Sequence, residues 1–163
     1  MLGTLPVTAL GVYDGSLRRA ILAFKRGRRD VGLALARELA RHLTARGAVD
    51  GVLVPVPTTP ERRAERGFDQ GVLLAREAAR LAGFGVLDVL RQVAGDAQRG
   101  RSRAARLNAR DRFRAESGSL LEGAQVILID DVATTGATLR DCAAVLSAAG
   151  ARLAGGVVLA RAP

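Results

Sequence analysis

Apolar residues recur along this chain at two spacings, one helical and one strand-like, and the two alternate. Leu17, Ile21, Leu22 and Phe24 fall at helical intervals, with Ser16 placed to cap the run and Gly27 to end it. After Asp30, a second helix is predicted with Val31, Leu35, Leu39 and Leu43 on one stripe. The apolar run GVLVPVP, residues 51–57, is bounded by Gly and Pro and reads as a buried strand, although Pro55 and Pro57 donate nothing to a ladder. Asp69 then caps a helix through about Leu81. Further strands are predicted at 85–90, 125–130 and 153–159, and the last two enclose a helix with Leu139, Cys142, Ala143, Leu146 and Ala149 at its apolar positions. Strands alternating with helices predict an α/β fold, a mostly parallel, Rossmann-like sheet flanked by helices, with ligands taken beyond the carboxyl ends of the strands. Segment 92–114, polar and arginine-rich, fits no element of this scheme and is long enough to read as a functional loop.

The length of 163 residues, 48% of them hydrophobic, allows one core, so a single domain spanning 1–163 is expected. The formal charge of +9 is carried almost wholly by arginine, since Lys25 is the only lysine. Arginine's planar fork suits phosphate oxygens, so an anionic partner is implied: a nucleic acid, a phosphorylated metabolite, or none if the basic face is only solvated. An aromatic content of 3% argues against a platform on which single-stranded bases stack. Cys142 is the only cysteine, which excludes an internal disulfide and a cysteine-built zinc site and suits a reducing compartment. With no leader pattern at the start and no membrane-length apolar stretch, the expectation is a soluble, cytoplasmic protein without a membrane span.

The segment VILIDDVATTGAT, residues 126–138, carries the chemistry. Its apolar start is a buried strand that delivers Asp130 and Asp131 to the end where such sheets bind ligands. Ionised carboxylates only accept hydrogen bonds, and the 2′,3′-diol of a ribose offers two adjacent donors. Ala133, Thr134, Thr135, Gly136, Ala137 and Thr138 are small or hydroxylated and lead into a helix, whose first N–H groups and dipole suit a monophosphate. Gly136 permits close approach or a positive φ. No GxxxxGK[ST] and no GxGxxG after a strand is present, so neither a P-loop nor a dinucleotide fingerprint applies.

This segment resembles the signature with which type I phosphoribosyltransferases bind phosphoribosyl pyrophosphate (PRPP). FKRGRR at 24–29, VPVP at 54–57, RGFDQ at 66–70 and the stretch from Gln98 through Arg103 to Asn108 are similar, in order and approximate spacing, to the ComF (competence protein F) family. The likeness runs from about Tyr13 to the end. It implies that Asp130 and Asp131 hold the ribose hydroxyls and that Ala133 through Thr138 hold the 5′-phosphate. Arg66 and Gly67 become the candidates for the pyrophosphate. Magnesium is implied as a companion of PRPP, carried by substrate oxygens and water with no all-protein metal site. Segment 92–114 resembles the flexible hood of these enzymes, which closes to exclude water. Within it Arg103, then Arg101 and Arg106, are the candidates to stabilise the leaving diphosphate, weighed against a plain solvated basic face.

Many family members carry a cysteine-rich zinc ribbon ahead of the transferase domain, and no cysteine precedes the PRPP motif here. Purine-salvage relatives place an acid where Thr134 stands, so base catalysis on a purine is not implied and the acceptor stays open. The resemblance implies an enzyme transferring phosphoribosyl from PRPP, linked to DNA uptake in natural transformation. The alternatives are a protein that senses PRPP without consuming it, and an accessory protein that binds DNA or a competence partner through its basic surface. A homodimer is implied only by the superfamily. His42 reads as a surface residue, Cys142 as core, and Phe68 and Phe113 as packing rings able to stack on a base.

Overall fold

The computed structural model describes residues 5–45, 47, 51–93, 112–116 and 118–162. The described elements run β1 (Val7–Val12), α1 (Gly15–Lys25), α2 (Arg29–Ala45), β2 (Val52–Pro55), α3 (Pro60–Arg66), α4 (Gln70–Ala82), β3 (Gly85–Val86), β4 (Leu90–Gln92) and β5 (Phe113–Ala115). They continue with α5 (Gly118–Leu121), β6 (Gln125–Ala133), α6 (Ala137–Ala148) and β7 (Arg152–Arg161).

Local chemistry accounts for most helix ends. Asp69 caps α4 by accepting from the Val72 N–H at 3.1 Å, as the sequence predicts, and Gly83 ends the helix at φ 79°. The first helix begins earlier than expected, with Asp14 in the capping place given to Ser16. Helix α3 was not foreseen. Thr59 caps it, its Oγ1 accepting from Arg62 N–H at 3.2 Å, Pro60 fills the first turn, and Gly67 stops it at φ 71°.

The main sheet is five-stranded in the order β1-β7-β6-β2-β3, and every neighbouring pair is parallel. Strand β1, also unforeseen, forms one edge by pairing with β7. The side chains of β6 alternate between two layers. Ile127 and Ile129 join Leu53, Val157 and Leu159 beneath α1, α2 and α4. Val126 and Leu128 join Val54, Val158, Leu139 and Leu146 on the α6 side. A near-continuous apolar strand is what a parallel sheet covered on both faces requires.

The strand expected at 85–90 is divided. Gly85 and Val86 pair with β2, while Leu90–Gln92 leaves that sheet to pair antiparallel with β5. The Leu87 N–H still bonds the Leu53 carbonyl at 3.0 Å, and beyond it the chain departs. Arg91 fastens the departing ribbon, contacting Asp88 Oδ1 at 2.8 Å and Glu116 Oε2 at 3.1 Å. Most of segment 92–114 lies outside the described residues, and its two ends are zipped together as β4 and β5.

Candidate functional site

Strand β2 accompanies β6 only as far as Ile129, where the Val56 N–H bonds the Ile129 carbonyl at 2.8 Å. Beyond that point β6 continues against β7 to Ala133. Asp130 and Asp131 therefore sit where one neighbour strand has stopped, at the lip of a cleft of about 440 Å³ that both of them line. The Asp131 N–H donates to Asp130 Oδ1 at 2.8 Å, so the first carboxylate is oriented by the backbone of the second. Successive strand residues leave opposite faces. Asp131 accordingly meets Lys25 at the end of α1, Nζ to Oδ2 at 2.8 Å, while the charge of Asp130 helps raise the buried Cys142 thiol on α6.

The Asp130 carboxyl is pushed up to about 7, first by burial and then by the neighbouring Asp131 charge. In the unliganded protein the folded state thus binds this proton more tightly than the unfolded chain does. The resulting stability is present in full below about pH 4 and is lost as pH rises through about 7. Thermal melts of the unliganded chain are expected to show the midpoint falling by several degrees between pH 5 and pH 8, an effect on the order of 2 kcal/mol after discounting for partial exposure. Asp130→Asn should flatten that dependence, and an unchanged slope in the variant would refute the assignment.

After Ala133 the chain turns through Thr134, Thr135 and Gly136 into α6. Gly136 takes φ 72°, a conformation that side chains resist, and so it caps the helix without a side chain. The Thr135 hydroxyl accepts from the Ala137 N–H at 3.3 Å, and Arg140 Nη1 donates to the Thr135 carbonyl at 3.0 Å, bracing the turn from the helix side. No acid occupies the first turn of α6. Its positive end is left unneutralised, and Thr134 and Thr138 line the cleft beside the acid pair.

The remaining candidates fall in different places. Gly67 closes α3, and its N–H donates to the Arg63 carbonyl at 3.0 Å. It lines an adjoining cavity with Phe68 and Asp69. Arg66 is the last residue of α3, and its side chain lies outside the described residues. Arg101, Arg103 and Arg106 also lie outside them. From the loop after β2, the cleft receives Thr58 and Thr59, with Arg62 from α3. Arg112, where the ribbon returns, bonds Asp141 Oδ2 at 2.6 Å and lies over the Phe113 ring at 5.4 Å, so a cation of this segment is tied to α6 at the cleft wall.

The RGFDQ element does structural work. Asp69 caps α4 and pairs with Arg63 at 2.8 Å, while Phe68 packs on Phe24 at 5.9 Å with the Arg29 guanidinium 4.7 Å from its centroid. Gln70, buried, donates to the Phe24 carbonyl at 2.7 Å. His42 is not a bare surface residue, since its Nε2 lies 3.1 Å from Thr8 Oγ1 on β1. Phe113 is buried and also lines the cleft. Lys25, Arg62 and Arg112 are the cations at the cleft that sequence reasoning passed over. For Lys25 the signal was its being the only lysine, inside a motif already noted.

No family model matches the chain. Competence protein ComFC of Streptococcus pneumoniae is 35% identical over 99 residues, 61% of this chain and 43% of that protein. Competence protein ComFC of Bacillus subtilis is 38% identical over 95 residues, 58% of this chain and 38% of that protein. The chain thus spans less than half the length of these relatives. Among solved structures, the allosteric regulatory enzyme of purine biosynthesis matches with a TM-score of 0.57 at 22% identity, covering 78% of this chain and 26% of that one. The glutamine PRPP amidotransferase of Bacillus subtilis, complexed with ADP and GMP, matches with a TM-score of 0.53 at 22% identity, covering 82% and 26%. The fold is that of the type I phosphoribosyltransferases, and the resemblance to ComF proteins read from the motifs is matched by these two ComFC relatives over about 60% of the chain. No helix among the described residues is long and apolar enough to cross a membrane.

Proposed function

We propose that this chain binds PRPP with magnesium in the cleft at the end of β6 and transfers its phosphoribosyl group to an acceptor, in the cytoplasm, in support of DNA uptake. The observation that carries this reading is the meeting of the acid pair with the open N-terminus of α6 on one cleft. Asp130 and Asp131 accept from the ribose diol, and the turn at Thr134 to Thr138 takes the 5′-phosphate on its backbone N–H groups. The diphosphate falls toward Thr58, Thr59 and Arg62. Arg66 and Gly67 stand at the far end of the same helix as Arg62, and Arg101 and Arg103 belong to the segment that resembles the hood.

Among the described residues no group of three or more His, Cys, Asp or Glu could hold a metal ion. A magnesium ion bringing its own phosphate and water oxygens would supply charge to the leaving diphosphate. The chain's part is placement and exclusion of water: the diol and phosphate are fixed at the two ends of the ribose, and arginines offset the charge that develops as the glycosidic bond breaks. The competence names of the relatives, together with the charge of +9, support a role near DNA.

Calorimetric titration with PRPP, with and without magnesium, is expected to show saturable binding that strengthens with the metal. No binding in either condition would refute the proposal. Pyrophosphate release across a panel of bases and amines then separates transfer from sensing, because tight binding with no release on any acceptor would favour a sensor.

A further inference from the structure

Lys25 is the only lysine in a chain whose other fixed cations are arginines, and its ammonium lies 2.8 Å from Asp131 Oδ2. Its place is built. The carbonyl of the preceding residue, Phe24, accepts from the buried Gln70 at 2.7 Å, and the Phe24 ring is wholly buried against Phe68. On its other side the ring lies so close to α2 that a Cβ added at Gly32 would come within 2.3 Å of it. The FKRGRR and RGFDQ segments, distant in sequence, thus form one clamp on the last turn of α1, and Lys25 projects from that turn onto the acid pair.

Two adjacent carboxylates facing an open cleft with threonine hydroxyls nearby are donors a hard divalent cation would use. An ammonium on one of them opposes that. It also leaves room for a hydroxyl, because a guanidinium fork engages both oxygens of a carboxylate, whereas an ammonium is a compact charge that can contact one. We propose that Lys25 is the resident counter-ion of the diol site, fixing Asp131 as an acceptor and keeping the acid pair from collecting a bare divalent cation, so that the metal enters only with the anionic ligand that carries it. The inference rests on the acid pair being the ribose site, but its readout needs no PRPP.

The test is titration of the free protein with Mn²⁺ alone, followed by the paramagnetic resonance of the unbound ion. The parent is expected to show no saturable binding at about millimolar concentration. Lys25→Met should gain one site, at least about tenfold tighter, as removal of a cation in contact with the carboxylate implies. Adding Asp131→Asn should abolish that gain. Lys25→Arg, which keeps the charge on the same clamped turn, should exclude Mn²⁺ like the parent, so a gain confined to the Met variant cannot come from disturbing α1. Equal Mn²⁺ binding by the parent and Lys25→Met, whether present or absent in both, would overturn the proposal. Failure of PRPP to bind would instead strike the proposed function and leave the Mn²⁺ result standing.

Discussion

Asparagine at both 130 and 131 is expected to lower PRPP affinity by at least about 100-fold while leaving the chain folded. Hydrogen bonds to charged groups contribute roughly 1.5–3 kcal/mol each, so two lost acceptors account for about 3 kcal/mol or more, and each 1.4 kcal/mol is tenfold. The amides keep the shape but bring donors to face donors. The substitution also makes the cleft more positive, which favours the phosphates, so the loss should appear with ribose-bearing ligands and not with inorganic pyrophosphate. Calorimetry with both ligands checks this. Parallel losses for the two would point to a disturbed fold, and no loss for PRPP would remove the acid pair from the site.

Phe24→Ala carries the largest expected cost in stability, about 3–5 kcal/mol, read as the shift in urea midpoint. The ring is fully buried, belongs to the core beneath the sheet, and is enclosed by Phe68 and the bare backbone at Gly32. Truncation leaves a cavity that Gly32 has no side chain to fill. Because Lys25 hangs from the same turn, this core substitution should also register at the cleft: metal binding like that of Lys25→Met is expected wherever the variant remains folded. A stability loss under about 1 kcal/mol would contradict the packing described.

Asp130, Asp131 and the turn that follows were legible because their signals are local: a buried strand, then acids, then a glycine where the backbone turns to positive φ. The α4 cap at Asp69 was legible for the same reason. Strand β1 was not. Its residues are mostly half-buried, and it owes its state to pairing with β7 at the other end of the chain. Helix α3 was missed because PERRAER has almost no apolar face, so the Thr59-Pro60 start signal stood alone. The division of 85–90 depends on where β2 ends, which Pro55 and Pro57 mark without saying how far β3 follows. Lys25 was passed over because an ion pair between the end of α1 and β6 has no signature in spacing.

The place of β7 in the sheet has a bearing on how the molecule comes into being. It is the last described strand in sequence, yet it lies between β1 and β6, so that Val7 waits for Gly156 and Asp130 for Val158. A chain emerges from the ribosome amino end first, and contacts this remote in sequence are slow to close. Until β7 arrives, the nascent protein holds an unpaired β1 and an acid pair whose strand lacks a neighbour along its outer half. The cleft is thus completed only once β7 has emerged, and a chain cut before residue 152 would keep every acid and threonine of the motif with no strand beside residues 130–133 to set them in register.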